Sequence, residues 1–106
     1  MQNSLETLSD WYKSNCDGNW EHRYGIRIET LDNPGWSIHI DLSGTDLEDH
    51  EITECEEHRS ENDWIVIQFK ADSQKREYRS CGGPKNLEEM IQRFIEWANR
   101  AKKATP

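Results

Sequence analysis

Two short runs of alternating apolar and polar residues flank the sequence Asp32-Asn33-Pro34-Gly35. Before it, starting at His22, Tyr24, Ile26 and Ile28 alternate with Arg23, Arg27 and Glu29. After it, Trp36, Ile38, Ile40 and Leu42 alternate with Ser37, His39 and Asp41. A period of two places each apolar set on one face of an extended strand. The linker is a turn by composition, because Pro presets φ and Gly supplies the positive φ that many turns need. The chain is therefore expected to build a β-hairpin with one buried face.

The segments around the hairpin set the fold class. Leu5, Leu8, Trp11 and Tyr12 fall on one helical stripe, opened by Asn3 or Ser4 and stopping near Asn15–Cys16. Asp17-Gly18-Asn19 reads as a turn. Ile52 to Arg59 is a candidate third strand, polar on both faces and so an edge. Trp64 to Ala71 carries Ile65, Ile67, Phe69 and Ala71 on one face, Asp72 to Gln74 turns, and Arg76 to Cys81 forms a last strand. After Gly82-Gly83-Pro84 a helix begins at Asn86, with Glu89 completing a relative of the capping box. Leu87, Met90, Ile91, Phe94, Ala98 and Ala101 form its stripe, flanked by Trp97. Acids in its first turn and bases in its last suit the helix dipole. The order α-β-β-β-β-β-α lacks βαβ alternation, so an α+β fold is expected: an antiparallel sheet of four to five strands with an N-terminal and a C-terminal helix. One domain over residues 1–106 is expected, with its core at about 5–101 and a frayed tail over 102–106.

Composition excludes several functions. Of 106 residues 33% are hydrophobic, and the net charge of −8 would suit a disordered chain, but five Trp and three Tyr argue for a small aromatic core. No apolar run is long enough to span a membrane, and the polar, acidic start is not a signal peptide, so a cytoplasmic location is expected. Three widely spaced cysteines make neither a disulfide framework nor a CxxC zinc site. Residues 41–63 hold ten acids and one Arg, the wrong sign for nucleic-acid binding. That density suits a solvated face or a binding surface for a basic protein.

Three constellations could carry chemistry. Cys16 with His22 could form a thiolate–imidazole pair, as in a small sulfurtransferase-like enzyme with Cys16 as nucleophile and His22 as base. The plainer reading is a Cys closing a helix and a His opening a strand. Four histidines and many acids offer metal ligands, but no HExxH or EF-hand spacing occurs, and no metal is expected. His39 and Asp41 would share the solvent-facing side of a strand. Gly82-Gly83-Pro84 could hold an anion at a helix N-terminus, although ordinary loop punctuation accounts for it. Trp36, Trp64 and Trp97 are expected in the core. Trp11, near a helix end, and Trp20, in a polar loop, could be interface anchors; for Trp20 a structural role and a contact role weigh equally.

Taken in order, Trp11-Tyr12, Cys16-Asp17-Gly18, Trp20-Glu21-His22, Tyr24-Gly25-Ile26, the run from Thr30 to Trp36 and Ile40-Asp41-Leu42 resemble the immunity protein 53 family. Asp63-Trp64-Ile65, Gly82-Gly83-Pro84, Asn86-Leu87, Phe94 and Trp97 continue the likeness, which covers about residues 8–98. The resemblance implies a bacterial immunity protein of a polymorphic toxin system. Such a protein binds its cognate toxin domain in the cytosol and blocks it, without turnover and without a cofactor. A nuclease toxin would suit an acidic inhibitor, because its substrate groove must be basic. The expected contact residues are Trp20 in its polar loop, and Asp41, Asp46, Glu48, Asp49, Glu51, Glu54, Glu56 and Glu57 in the acidic stretch, which looks least constrained by packing. Cys16, Asp17, Gly18, Trp20, Glu21, His22, Asp32, Asn33, Pro34, Gly35 and Trp36 carry the most specific part of the likeness. Two accounts of them stand: Asp17 and Asp32 cap turns while His22 pairs with Glu21 or an indole, or the group forms a shared pocket. The thiol enzyme is the alternative function, and an acidic adaptor in a larger assembly is a third.

Overall fold

A computed structural model describes residues 3–71 and 75–104. The elements are α1 (Ser4–Asn15), α2 (Trp20–Arg23), β1 (Ile26–Leu31), β2 (Gly35–Asp41), β3 (Cys55–Ser60), β4 (Asp63–Ala71), β5 (Arg76–Gly82) and α3 (Leu87–Ala104). The fold is α+β, a five-stranded antiparallel sheet preceded by an N-terminal helix and followed by a C-terminal one. The turn expected over Asp72–Gln74 lies outside the described residues. Of the tail expected to fray, 102–104 continue α3 and 105–106 lie outside them.

The sheet order is β1-β2-β5-β4-β3. The hairpin β1–β2 occupies one edge, in the register Ile26↔Ile40, Ile28↔Ile38 and Thr30↔Trp36. The polar strand β3 occupies the other edge, as its sequence requires, but it begins at Cys55 rather than at Ile52. The last strand in sequence is the central one in space. β5 pairs with β2 through Ile40↔Tyr78 and with β4 through Phe69↔Tyr78. The alternation then places Ile38, Ile40, Ile65, Ile67 and Tyr78 on one face, where Leu8, Trp11, Met90, Phe94 and Trp97 of the two helices cover them. Phe94 packs edge-on against both Trp11 (5.2 Å) and Tyr78 (5.0 Å), so one aromatic cluster joins α1, α3 and the sheet.

Four local expectations are corrected. The strand expected from His22 begins at Ile26, because Trp20–Arg23 close a helical turn first. Trp11 is not at an interface rim but buried in the core. Trp64 is on the helix-free face, half-buried and stacked on His58 at 6.2 Å, since it alternates with the inward Ile65. Asn86 does not make a capping box with Glu89. Its Oδ1 instead accepts from the amides of Gly83 (3.1 Å) and Trp64 (3.3 Å), and its Nδ2 donates to Asp63 (2.9 Å). Glu89 is engaged by Arg59 and Arg93. The segment after β5 thus anchors the β3–β4 turn, and the backbone approach is so close that a Cβ on Gly83 would lie 2.5 Å from the Asn62 carbonyl oxygen.

Candidate functional site

The block from Cys16 to His22 is built around two carboxylates that bind backbone. Asp17 Oδ1 accepts from the amides of Asn19 and Trp20, both at 2.9 Å, satisfying N–H groups at the start of α2. Glu21 reaches back to the amides of Asp17 (2.9 Å) and Gly18 (2.8 Å). These bonds hold both carboxyls below their usual range. For Asp17 the Trp20 amide contributes most, then that of Asn19; for Glu21 its own amide leads, followed by those of Asp17 and Gly18. Gly18 has φ of +93°, so the loop needs a residue free of Cβ strain there.

The turn directs Trp20 inward, where it is 5% exposed, which corrects the expectation of a Trp in a polar loop. Its ring meets Trp11 edge-on, and its Nε1 donates to the Ser43 carbonyl at 2.9 Å. Gly44, at φ +78°, passes so close that an added Cβ would lie 3.1 Å from the indole. Asp41 completes the joint: its backbone amide donates to the Gly25 carbonyl, and its Oδ2 accepts from the Gly25 amide at 2.9 Å. Its Oδ1 lies 3.1 Å from Lys75 Nζ. Trp20 and Asp41, both expected at a contact surface, are therefore largely enclosed and fasten the α1–β1 connection to the end of β2.

The remaining motif residues divide. Cys16 Sγ donates to the Tyr12 carbonyl at 3.4 Å within its own helix turn, and no hydrogen bond joins it to His22 among the described residues. His22 is exposed and makes no hydrogen bond to Glu21 or to an indole among those residues. Asp32, Asn33 and Pro34 form the exposed hairpin tip. Gly35 is fixed by packing, because a Cβ would sit 2.3 Å from the Gly82 carbonyl oxygen. Trp36 seats its Nε1 on the Pro84 carbonyl at 3.1 Å, joining the hairpin to the loop before α3.

The acidic stretch is more constrained than its composition suggests. It crosses from β2 to the far edge of the sheet, pinned by Leu42, Leu47 and Ile52, all buried. Glu57 faces α3 and pairs with Arg93, which lowers its carboxyl. Glu54 Oε2 accepts from the Phe69 amide at 3.1 Å, and Glu56 pairs with His58 at 2.8 Å. Asp46, Asp49, Glu51, Glu54 and Glu56 are exposed and Glu48 is half-exposed, so they form an acidic rim along the crossover and the β3 edge.

The helix-free face holds a charged cluster that the sequence reading missed. Glu77, buried between strands, accepts from Arg79 and from His39 (3.1 Å), with Lys75 at 3.7 Å. Burial pushes its carboxyl up, but the bonds from Arg79 and then His39 more than offset this, leaving it below its usual range. His39 and Asp41 share this face as expected, but Asp41 is buried and His39 half-buried rather than solvent-facing. Their partners went unnoticed because only the crossover brings β5 beside β2. Among the described residues no three His, Cys, Asp or Glu converge as a metal site, and no helix is long and apolar enough to cross a membrane.

The sequence matches the family described as Immunity protein 53 over residues 5–99. The chain belongs to the immunity protein 53 family. Comparison with curated proteins and with solved structures returns no match. In this immunity protein the Asp17–Glu21 turn, the Trp20–Ser43 bond and the Gly35–Gly82 approach are structural joints, so the motif residues that maintain them are accounted for by the fold. Within the acidic rim Glu54 bonds the Phe69 amide and Glu56 pairs with His58, but those two contacts do not account for so many like charges on one edge.

Proposed function

We propose that this immunity protein binds a cognate polymorphic toxin domain in the cytoplasm and neutralises it by stoichiometric occlusion, without turnover. A nuclease is the toxin class that the acidic surface fits best. Family membership supports the immunity role. The observation that carries the finer reading is the rim of Asp46, Glu48, Asp49, Glu51, Glu54 and Glu56, held in place by buried Leu47 and Ile52 beneath it. Acids fixed on a framework present a shaped negative field to a groove that must be basic to hold phosphates. Opposite fields also speed encounter at low salt.

The test replaces Glu48, Asp49, Glu51 and Glu56 by their amides together. Toxin binding should weaken, and the dependence of affinity on salt should flatten, because fewer charges meet across the interface. Unchanged affinity and salt slope would remove the rim from the interface.

A further inference from the structure

The sheet has two edges, and only the β3 edge is guarded by acids. Among the described residues no strand pairs with β1 on its outer side, and Arg27 to Thr30 are all exposed. The Asp41 amide donates to the Gly25 carbonyl, and these residues are opposed in the same register as Ile26↔Ile40. In an antiparallel pair the hydrogen-bonded positions alternate. Arg27, Glu29 and Leu31 therefore direct their backbone groups toward β2, whereas Ile26, Ile28 and Thr30 direct theirs outward. That leaves a regular row of outward donors and acceptors, the usual template for strand addition.

Two further features bear on what pairs there. Among the described residues the large apolar side chains that stand exposed are Leu5, Tyr12 and Ile28, at 61%, 39% and 37%. All belong to β1 or to α1 beside it: a shallow groove lined by Leu8, Ser9, Tyr12, Gly25 and Ile26 runs between the two elements, and Leu5 lies one helical turn before Ser9. The second feature is charge. Arg27 and Glu29 lie on the helix-free side of β1, joined at 3.0 Å but 63% and 55% exposed, so both remain available to an incoming strand.

We infer that the β1 edge pairs with the β1 edge of a second copy of this chain, about a two-fold axis through Ile28, to give one continuous sheet. In this register Ile28 opposes its counterpart and Ile26 opposes Thr30, the positions whose backbone groups point outward. Each opposed pair then exchanges two backbone hydrogen bonds. Arg27 of each copy falls opposite Glu29 of the other on the same face, so a two-fold pairing matches opposite charges twice. Ile28 and the Tyr12 flank of α1 meet their symmetry mates on the other face. The strand is complementary to itself in backbone, charge and apolar side chains.

The experiment is sedimentation equilibrium of the full chain from about 1 to 500 μM, with variants R27E, E29R and T30P. The native chain should dimerise within that range. R27E or E29R alone should raise the dimer dissociation constant about tenfold or more, since each sets like charges opposite one another twice. An equimolar mixture of R27E and E29R should recover a heterodimer of near-native affinity. T30P removes an outward N–H that β2 does not use, so it should abolish the dimer while circular dichroism stays native. A native chain that is monomeric throughout would overturn the inference, as would a dimer indifferent to R27E and T30P. A monomer whose T30P variant loses toxin binding would assign the edge to the toxin instead, and would equally overturn it.

Discussion

Replacing Asn86 by Ala removes a side chain that holds three partners at once. Asn86 is 7% exposed; its Oδ1 accepts from Gly83 and Trp64, and its Nδ2 donates to Asp63. The variant does not strand all three equally. The Gly83 amide keeps the Trp64 carbonyl at 3.0 Å, and Asp63 keeps Arg59 at 2.7 Å. The Trp64 amide points toward Asn86, on the same side as its own carbonyl, and loses its acceptor. Leaving one enclosed N–H unpaired costs about 1–3 kcal/mol, and the small void and the loosened β5–α3 joint add to it. A loss of about 2–3 kcal/mol is expected, or roughly 10–20 °C in Tm for a domain of this size. Urea and thermal unfolding followed by circular dichroism would measure it, with Lys85→Ala at the exposed neighbouring position staying within about 0.5 kcal/mol of the native chain. A loss below about 0.5 kcal/mol for Asn86→Ala would refute the reasoning that this side chain anchors the β3–β4 turn.

Three other outcomes follow from the geometry. The carboxyls of Asp63, Glu89 and Glu57 are held low chiefly by hydrogen bonds from Arg59 and Arg93, so their deprotonated forms favour the folded state. That contribution is present above their unfolded pKa and is lost as pH falls through the folded one; stability should be nearly flat from pH 8 to 5 and decline below about pH 4. Arg59→Gln should make the acid decline shallower, and a decline as steep as the native one would count against the network. Gly35→Ala drives a Cβ to 2.3 Å from the Gly82 oxygen and should cost about 2 kcal/mol or more, whereas Gly25→Ala meets nothing within 4 Å and should cost less than about 0.5 kcal/mol in the same urea titration. Cys16→Ser should leave toxin protection intact, because Cys16 Sγ is bonded to a helix carbonyl; loss of protection in a folded Cys16→Ser variant would revive thiol chemistry.

Much of the fold is legible where a single periodicity runs unbroken. Trp36 to Leu42 alternate over the whole of β2, and Leu87 to Ala101 keep helical spacing along α3, so both elements lie where the pattern puts them. The alternation through Tyr24 extends the expected first strand back to His22, four residues before β1 begins at Ile26, because the Asp17 and Glu21 carboxylates close a helical turn there. Trp20 is surrounded in sequence by Asn, Glu and His, which suggests a surface. In space its neighbours' carboxylates are occupied by backbone amides, and the ring turns into the core. The acidic stretch conceals its anchors beyond Leu42, since Leu47 and Ile52 follow at intervals of five that suit neither a strand nor a helix. Asp41 and Glu57 read as parts of a charged surface because Gly25, Lys75 and Arg93, which engage them, are distant in sequence. Glu77 is illegible for the same reason, as its partner His39 lies across a crossover.

Neutralisation of a toxin by binding is open to a single co-expression experiment. The toxin domain encoded beside this gene would be expressed in a sensitive bacterium with and without the immunity protein, and the two would be purified together. Restored growth and a stable complex of equal numbers of toxin and immunity chains are expected. Continued killing with both proteins present and no complex would rule out neutralisation by binding.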